Sequence, residues 1–583
     1  MDPPAILAVT AMAVVALASA VIGSIGVRVA RSTSDFLVAS RTVGRTANAG
    51  AISGEYLSAA SFLGIAGLIL RDGVDALWYP VGFTVGYLAL VLFVAAPMRR
   101  SGAYAVPDFA EARLRSHTLR KVCTVFVVLI GWLYLLPQLQ GAGLTLAVVT
   151  GLPGWIGMVA STVVVVATVV FGGMRSITFV QAFQYWLKFT ALTIPAVIAA
   201  IFFVSDDRTF ERVAPPQFPD RTVVDVRTDV TLQVGNTVVF TATGSVDGRV
   251  YDQGQVRWDR GEHVVREGAQ LEFPGGAPVP VVTGAPVNDS DWLGPFAADD
   301  EGGLLGTYSL IIALFLGTLG LPHVLVRFYT NPDGRAARRT AVVVLGMLAV
   351  FYVVVTMLGA LSRLYNSHLL VTGATDATVL LLPQAVLGSG WAGALMAAVV
   401  AAGAWAAFLS TSSGLIVSIA GVLSTDVLGS GRMRDFRLAA VLAAAAPLGL
   451  TFAVTRLDFA EAVALVFAVA ASTFCPLLVL GIWWRGLTDR GAIAGVLAGG
   501  TLSVGAVAVA LTGLLAEAPF AVLLLRPAIV TVPVAFLVMI VTSKLSAKRN
   551  PADTDAVMLQ MHAPERLGLS RDRLAGRMRS PGL

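Results

Sequence analysis

Three stretches of this chain place polar side chains and glycines inside otherwise apolar runs. Residues 50–64 carry Glu55 between serines and glycines, residues 316–323 contain two glycines and a proline before His323, and residues 408–414 include four consecutive hydroxyl side chains. Hydroxyl and carbonyl oxygens are ligands that hard monovalent cations accept. A helix broken by glycine or proline frees further backbone groups. These patterns predict binding of an ion and of a small solute.

The elements that position these residues are membrane helices. The chain is 56% hydrophobic and 13% charged, against roughly 25% charged for soluble domains, and its mean hydropathy is +0.78. Apolar runs of about 20 residues each span a hydrocarbon core of about 30 Å. This excludes a soluble enzyme and predicts an all-α polytopic membrane protein in the lipid bilayer.

The sequence offers no enzymatic chemistry. It contains no His-Glu-x-x-His, phosphate-binding loop or Gly-x-Ser-x-Gly turn. Cys123 and Cys475 lie far apart in apolar runs, which excludes a disulfide framework or a thiolate zinc cluster. We therefore expect no catalytic residues and no organic cofactor.

The apolar runs predict about thirteen transmembrane helices. The first, in residues 1–30, lacks a positive n-region, so we expect an uncleaved span rather than a signal peptide. The predicted spans begin near Ala5, Ala47, Leu77, Val122, Trp155, Ile177, Leu304, Thr340, Trp391, Leu438, Ala462, Gly491 and Ala521.

The distribution of charge sets the orientation. With the N-terminus outside, most of the 41 lysines and arginines fall in cytoplasmic loops and in a basic tail, residues 543–583. Arg327, Arg335, Arg338 and Arg339 are counted in one such loop. We predict a multi-pass protein of the plasma membrane with a cytoplasmic C-terminus, and the net charge of +5 does not indicate nucleic-acid binding.

Residues 204–303 form a long polar insertion that this orientation places outside. It holds 17 acidic residues against 8 arginines between Ser205 and Gly303. Val223–Val234, Thr237–Thr243, Arg249–Trp258 and His263–Phe273 alternate apolar and polar residues between Gly and Asp turns, which predicts a small extracellular antiparallel β-rich domain. A solvated insertion is one interpretation, and a lid or a docking surface for an extracellular partner is another.

The broken helices repeat with inverted topology. Counted from the second span they are first and sixth, so five spans separate the starts of two repeats, which then enter from opposite faces. We assign residues 47–203 to the first repeat, 304–484 to the second, and 491–542 to two C-terminal helices. This plan places ion and solute sites at the membrane midplane.

Three motifs resemble the sodium:solute symporter family, and within it the cation/acetate (monocarboxylate) symporters. They are Ser34–Arg41, Tyr56–Gly67 and Gly317–Thr330. The resemblance implies the fold of the bacterial leucine transporter, a LeuT-like 5+5 inverted repeat with one helix before it and two after.

The resemblance also implies a sodium site between the first and eighth core helices. Aligned on Asp426, which matches the acidic residue closing the eighth, it assigns hydroxyls and carbonyls of both helices to sodium: Gly54, Leu57, Ser58, Ala407, Ser410 and Thr411. Glu55 would strengthen the field, carry a proton in coupling or gating, or serve only a structural role.

One departure bears on stoichiometry. Some relatives hold a second sodium with an aspartate on the fifth core helix, where this chain has Gln181, and Gly414 replaces a hydroxyl. We therefore predict one coupling sodium per turnover.

The resemblance implies sodium-coupled uptake of acetate or a similar short-chain monocarboxylate by alternating access. Thr318 and Gly320, at the break of the sixth core helix, would bind the carboxylate through backbone N–H groups, with Tyr134 and Gln138 lining the path. We interpret His323 as a buried, hydrogen-bonded histidine rather than as a metal ligand. Lys188 has three interpretations: it attracts an anion, it extends its ammonium to the membrane interface by snorkelling, or it pairs with a group inside the protein. Coupling to protons, another solute such as pyruvate, propionate or an amino acid, and a transporter-like sensor remain alternatives.

Overall fold

The computed structural model describes residues 3–27, 44–205, 216–295, 303–429, 432–453, 458–512, 521–564 and 567. The motif Ser34–Arg41 and the end of the basic tail lie outside these ranges.

The described chain is helical up to residue 205. A π-helical turn, Ala60–Gly64, separates α2 from α3, and a 3₁₀ turn, Gly73–Leu77, precedes α4. The helices are α1 Pro3–Val27, α2 Arg45–Tyr56, α3 Ile65–Asp72, α4 Trp78–Phe93, α5 Ala95–Arg100, α6 Val106–Leu114, α7 His117–Thr150 and α8 Gly154–Ser205.

The second half is again helical after a β-rich segment. A 3₁₀ turn, Thr375–Ala377, precedes α14, and a π-helical turn, Leu423–Val427, ends α15. The helices are α9 Asp289–Leu293, α10 Gly303–Gly320, α11 Pro322–Phe328, α12 Gly334–Tyr365, α13 Leu369–Thr372, α14 Thr378–Leu387, α15 Trp391–Val422, α16 Met433–Leu450, α17 Phe459–Trp483, α18 Asp489–Thr512, α19 Ala521–Leu525, α20 Ala528–Leu545 and α21 Thr554–His562.

Among the described residues, 11 helical segments are long and apolar enough to cross a membrane. The 52 residues of α8, at about 1.5 Å each, exceed a bilayer and contain two of these spans, Gly154–Gly172 and Ser176–Ser205. Ala60–Phe93 counts as one span although a 3₁₀ turn divides it, and α16 carries charges in its first turns. The predicted total of thirteen therefore stays a prediction.

Seven strands form one antiparallel sheet in the insertion. They are β1 Thr222–Asp225, β2 Val230–Val234, β3 Val238–Val246, β4 Arg249–Trp258, β5 Gly261–Val265, β6 Gln270–Phe273 and β7 Val281–Val282. Their order is β1-β6-β3-β5-β2-β7, with β4 paired to β3. Two predicted strands were wrong in extent: Val223–Val234 is two strands, and His263–Phe273 is divided by a turn at Gly268, whose φ is +85°.

Asp247, in the turn between β3 and β4, joins several parts of this sheet. Its carboxylate accepts hydrogen bonds from Trp258 Nε1 at 2.9 Å and from the Val264 N–H at 2.8 Å, and it lies 2.8 Å from His263 Nδ1. Partial burial alone would raise the pKa of the Asp247 carboxyl, but these hydrogen bonds hold it below its usual range.

The sheet's apolar side continues into the helical part of the protein. Its buried core extends to Leu70 at the end of α3 and to residues 369–371 of α13. The insertion thus packs on the helix ends beside it rather than projecting as a separate solvated body.

The helical core brings the two broken helices together. Helix α15 packs against α8, α1 and α7, while α10 packs against α17 and α4. Helix α2 packs on α8 and α12, and α11 contacts both α2 and α15. The break between α2 and α3 and the break between α10 and α11 therefore border one central region.

Candidate functional site

The first core helix breaks after Tyr56. Leu57 leaves helical geometry with φ −78° and ψ 89°, and helix resumes when the Phe62 N–H donates to the Ser58 carbonyl at 2.9 Å. The Ala59 N–H donates at 2.9 Å to Gln138 Oε1 of α7 instead of to a carbonyl one turn earlier. The break therefore frees carbonyl oxygens in a buried place, where each needs a new donor.

Lys188 of α8 supplies donors to these carbonyls. Its Nζ lies 2.5 Å from Gly54 O, 2.6 Å from Leu57 O and 2.9 Å from Ser410 Oγ. The side chain is fully buried. Of the three interpretations of Lys188, internal pairing describes this geometry, and snorkelling is wrong because the ammonium is bound inside the protein.

The residues that the resemblance assigns to sodium gather around this ammonium. Ser410 Oγ lies 2.7 Å from Gly54 O and 3.1 Å from Ala407 O. Thr411 Oγ1 donates to the carbonyl of Glu55 at 2.8 Å. These contacts join the first core helix to α15. Ser58 Oγ, by contrast, makes no hydrogen bond of good geometry among the described residues, and the Tyr134 hydroxyl is its polar neighbour.

Glu55 forms a buried ion pair that the sequence pattern does not predict. Its Oε2 lies 2.5 Å from Arg327 Nε, with the two side chains 2% and 1% exposed. The placement of Arg327 in a cytoplasmic loop was therefore wrong, because α11 carries it into the core. Gly414 makes room for the pair: a Cβ there would lie 2.1 Å from the Glu55 carboxylate.

Gln181 occupies the position where some relatives carry a sodium-binding aspartate. Its Nε2 donates to Ser410 O at 2.7 Å and to Ser413 Oγ at 3.2 Å, and its Oε1 accepts from Arg327. Arg327 also donates to Thr178 Oγ1 at 3.1 Å. A guanidinium therefore holds the oxygen of Gln181.

The four predicted solute residues fall into two groups. Tyr134 and Gln138 lie beside the break in the first core helix, and the Tyr134 ring meets His323 at 5.1 Å between centroids. Thr318 Oγ1 bonds Leu314 O at 2.7 Å and Tyr56 OH at 3.1 Å. A Cβ at Gly320 would lie 2.5 Å from a carbonyl of α17, so this glycine is a packing position.

The break in the sixth core helix comes later than predicted. Leu321 is extended, with φ −70° and ψ 112°, and α11 begins at Pro322. The backbone N–H groups that begin a half-helix therefore belong to α11 rather than to Thr318 and Gly320. The expectation of a hydrogen-bonded histidine was also wrong: among the described residues His323 has no partner for either ring nitrogen.

Several buried polar atoms near the break have no partner in the described part of the chain: Ser58 Oγ, Gln138 Nε2, His323 Nδ1 and His323 Nε2. Each of these side chains is at most 2% exposed. Buried polar groups are rarely left unsatisfied, because each lost hydrogen bond costs about 1–3 kcal/mol. The group therefore has the chemistry of a binding site for a small polar molecule.

Both ends of the core carry ion pairs. At the predicted outer end Trp292 Nε1 donates to Ile69 O at 2.8 Å, the Arg363 guanidinium lies 5.1 Å over the indole, and Asp289 pairs with Arg363 at 2.9 Å. At the predicted cytoplasmic end Arg120 pairs with Asp426 at 2.6 Å. The Trp292 contacts place the end of the insertion over the first core helix.

Comparison with known proteins agrees with this architecture. The model of the sodium:solute symporter family matches residues 36–240 and 285–499. An uncharacterized symporter, YwcA, of Bacillus subtilis is 29% identical over 80% of this chain and 79% of its own length. A monocarboxylic acid transporter of Corynebacterium glutamicum is 28% identical over 81% of this chain and 78% of its own length.

Two solved structures share the fold at low identity. A Na⁺-coupled sialic acid symporter in an outward-open state superposes with a TM-score of 0.60 at 12% identity, covering 92% of this chain and 98% of that one. Mhp1, a nucleobase-cation-symport-1 family transporter in a closed conformation, superposes with a TM-score of 0.51 at 13% identity, covering 90% and 97%. The predicted all-α, LeuT-like class is confirmed.

Proposed function

Because the chain belongs to the sodium:solute symporter family, we propose that it is a secondary active transporter that takes up acetate or a similar short-chain monocarboxylate with a cation. The similarity to a monocarboxylic acid transporter supports this class of solute. Family membership and the likeness to a Na⁺-coupled symporter support sodium as the family's coupling ion.

The observation that carries the proposal is the cluster of unpartnered polar atoms beside the broken helix. Ser58 Oγ and Gln138 Nε2 are hydrogen-bond donors, and His323 offers a ring N–H. A carboxylate accepts several such bonds on two oxygens. Tyr134, with Phe467 at 6.2 Å between ring centroids, adds an aromatic wall for a short carbon chain.

The charges around the cluster also favour a monoanion. Two basic side chains, Lys188 and Arg327, and one acidic side chain, Glu55, are buried in this region. Uncompensated charge in a low-dielectric interior is costly. A single carboxylate bound nearby would offset the charge of a protonated Lys188, whereas a neutral sugar would not.

Counterflow of labelled pyruvate and acetate in proteoliposomes tests the proposal without any assumption about the driving ion. Protein-free liposomes are a necessary control, because neutral acetic acid crosses bilayers unaided, and pyruvate, a stronger acid, is the cleaner probe. We expect protein-dependent exchange that propionate competes with. Exchange of an amino acid or a sugar with none of any monocarboxylate would refute the proposal.

Substitutions at the cluster locate the solute. Ser58→Ala and Gln138→Ala each remove a donor to a charged group, worth about 1.5 kcal/mol or more, so each should raise the KM for pyruvate at least about tenfold. Ser503→Ala deletes another buried hydroxyl, one that bonds its own helix, and should leave KM unchanged. Equal effects of all three would place the solute elsewhere.

A further inference from the structure

Three of the oxygens assigned to sodium are already in contact with the amino group of Lys188. An ammonium has three N–H donors, and Lys188 Nζ has three acceptors at 2.5–2.9 Å, Gly54 O, Leu57 O and Ser410 Oγ. Two of the acceptors come from the broken helix and one from α15. The hydrogen-bonding capacity of the ammonium is therefore filled by the same two helices.

The environment of Lys188 resembles that of a bound alkali cation rather than that of an ordinary salt bridge. In the described residues no carboxylate lies within ion-pair distance of its Nζ, because the nearest acid, Glu55, pairs with Arg327. Helix α15 contributes only neutral groups, since it contains no ionisable residue between Trp391 and Val422. The direct contacts of the Lys188 amino group are therefore two carbonyl oxygens and one hydroxyl oxygen, while Glu55 acts on it only from a distance.

A sodium ion cannot share these oxygens with the ammonium. Two unit positive charges in contact inside a low-dielectric site repel strongly, and the shell offers no acid to offset the second charge. The position of a second sodium is also taken, because the Arg327 guanidinium binds Gln181 Oε1. Basic side chains therefore hold both positions that the resemblance assigns to sodium.

We propose that Lys188 is a built-in cation that replaces sodium in this chain. It links the broken first core helix to α15 through the contacts that a bound sodium would make. The shell of Gly54, Leu57 and Ser410 then takes no sodium from solution. This replaces the sodium-site prediction and is independent of which solute is carried.

Thermal unfolding of the purified full-length protein in detergent tests this without transport. Wild type should show the same Tm in sodium and in choline at equal ionic strength. Lys188→Ala should gain a sodium-specific rise in Tm that begins near the Kd for sodium and keeps growing with the logarithm of the sodium concentration above it. Adding Ser410→Ala to that variant should abolish the rise, and Lys544→Ala, which removes a lysine near the end of α20, should behave as wild type.

The wild-type measurement decides the matter even where Lys188→Ala does not fold. A sodium-specific rise in the Tm of wild type that Ser410→Ala abolishes would overturn the proposal. Pyruvate counterflow gives a second readout: wild-type exchange should run at the same rate in sodium and in choline, and a strict sodium requirement would contradict the inference. Absence of any pyruvate exchange would refute the solute proposal instead and leave the Tm result standing.

Discussion

The buried pair of Glu55 and Arg327 allows the electrostatics of the site to be measured. Removing one partner of a buried ion pair leaves an uncompensated charge and costs about 3–5 kcal/mol, whereas apolar replacement of both is often nearly neutral. Glu55→Leu and Arg327→Met should therefore each lower the free energy of unfolding by about 3–5 kcal/mol.

The double variant sets the size of the coupling. Without the guanidinium, Gln181 Oε1 also loses a donor, which costs about 1–3 kcal/mol. The single variants should then sum to at least about 6 kcal/mol and the double should cost at most about 3 kcal/mol, so the interaction energy is at least about 3 kcal/mol.

Unfolding in mixed micelles titrated with sodium dodecyl sulfate, followed by tryptophan fluorescence, measures each free energy. The matched control is a cycle at Arg485 and Asp555, a pair 3.4 Å apart whose side chains are 73% and 83% exposed, where we expect less than about 1 kcal/mol. A coupling at Glu55 and Arg327 as small as that of the exposed pair would refute the buried ion pair.

Three further predictions concern other parts of the molecule. Gly414→Ser should lower thermal stability strongly because its Cβ would meet the Glu55 carboxylate at 2.1 Å, while Gly421→Ser, with nothing within 4 Å, should not. Trp292→Ala should speed hydrogen exchange at the end of α3, whose carbonyls the indole binds, and unchanged exchange would show that the insertion does not cap that helix. Asp247→Asn should destabilise the sheet at neutral pH, because a lowered pKa adds stability above the unfolded pKa of about 4 that is lost as pH falls through the folded pKa. Hydrogen exchange of β3 and β4 should therefore differ from wild type near pH 7 and converge in acid, and a difference that persists in acid would contradict this.

Sequence patterns predicted the broken helices well because glycine and proline act locally. Small residues and one acid in an apolar run were enough to predict the break before Ser58. Pro322 alone was enough to predict the start of α11. Arg327 was wrongly assigned to a loop because a charged residue at the end of an apolar run marks the edge of a span predicted from hydropathy. Its position one turn after His323 on the same half-helix was the available signal, since i and i+4 share a helix face.

The partner of Lys188 could not be read from the sequence for a different reason. A four-carbon stem lets an ammonium reach either a membrane interface or the interior, so its partner depends on how α8 lies against α2 and α15. That arrangement depends on tertiary packing, which the spacing of apolar residues along a single helix does not specify. In the sheet, the alternation of apolar and polar residues concealed the turn between β5 and β6. Gly268, which has a positive φ, was the sequence signal for that turn.

The break in the first core helix connects the cation to the proposed solute through two consecutive residues. Leu57 O is bound by the Lys188 ammonium, and Ser58 carries one of the unpartnered hydroxyls. A motion that separated α2 from α15 would break the bonds of Lys188 and move Ser58 in the same step. Because the bound anion also balances the excess positive charge, anion and ammonium stabilise each other, and such coupling is reciprocal and typically worth about 1–3 kcal/mol. In choline, where no sodium can take the place of the ammonium, Lys188→Ala should therefore weaken pyruvate binding, and a folded variant that binds pyruvate as wild type does would contradict this coupling.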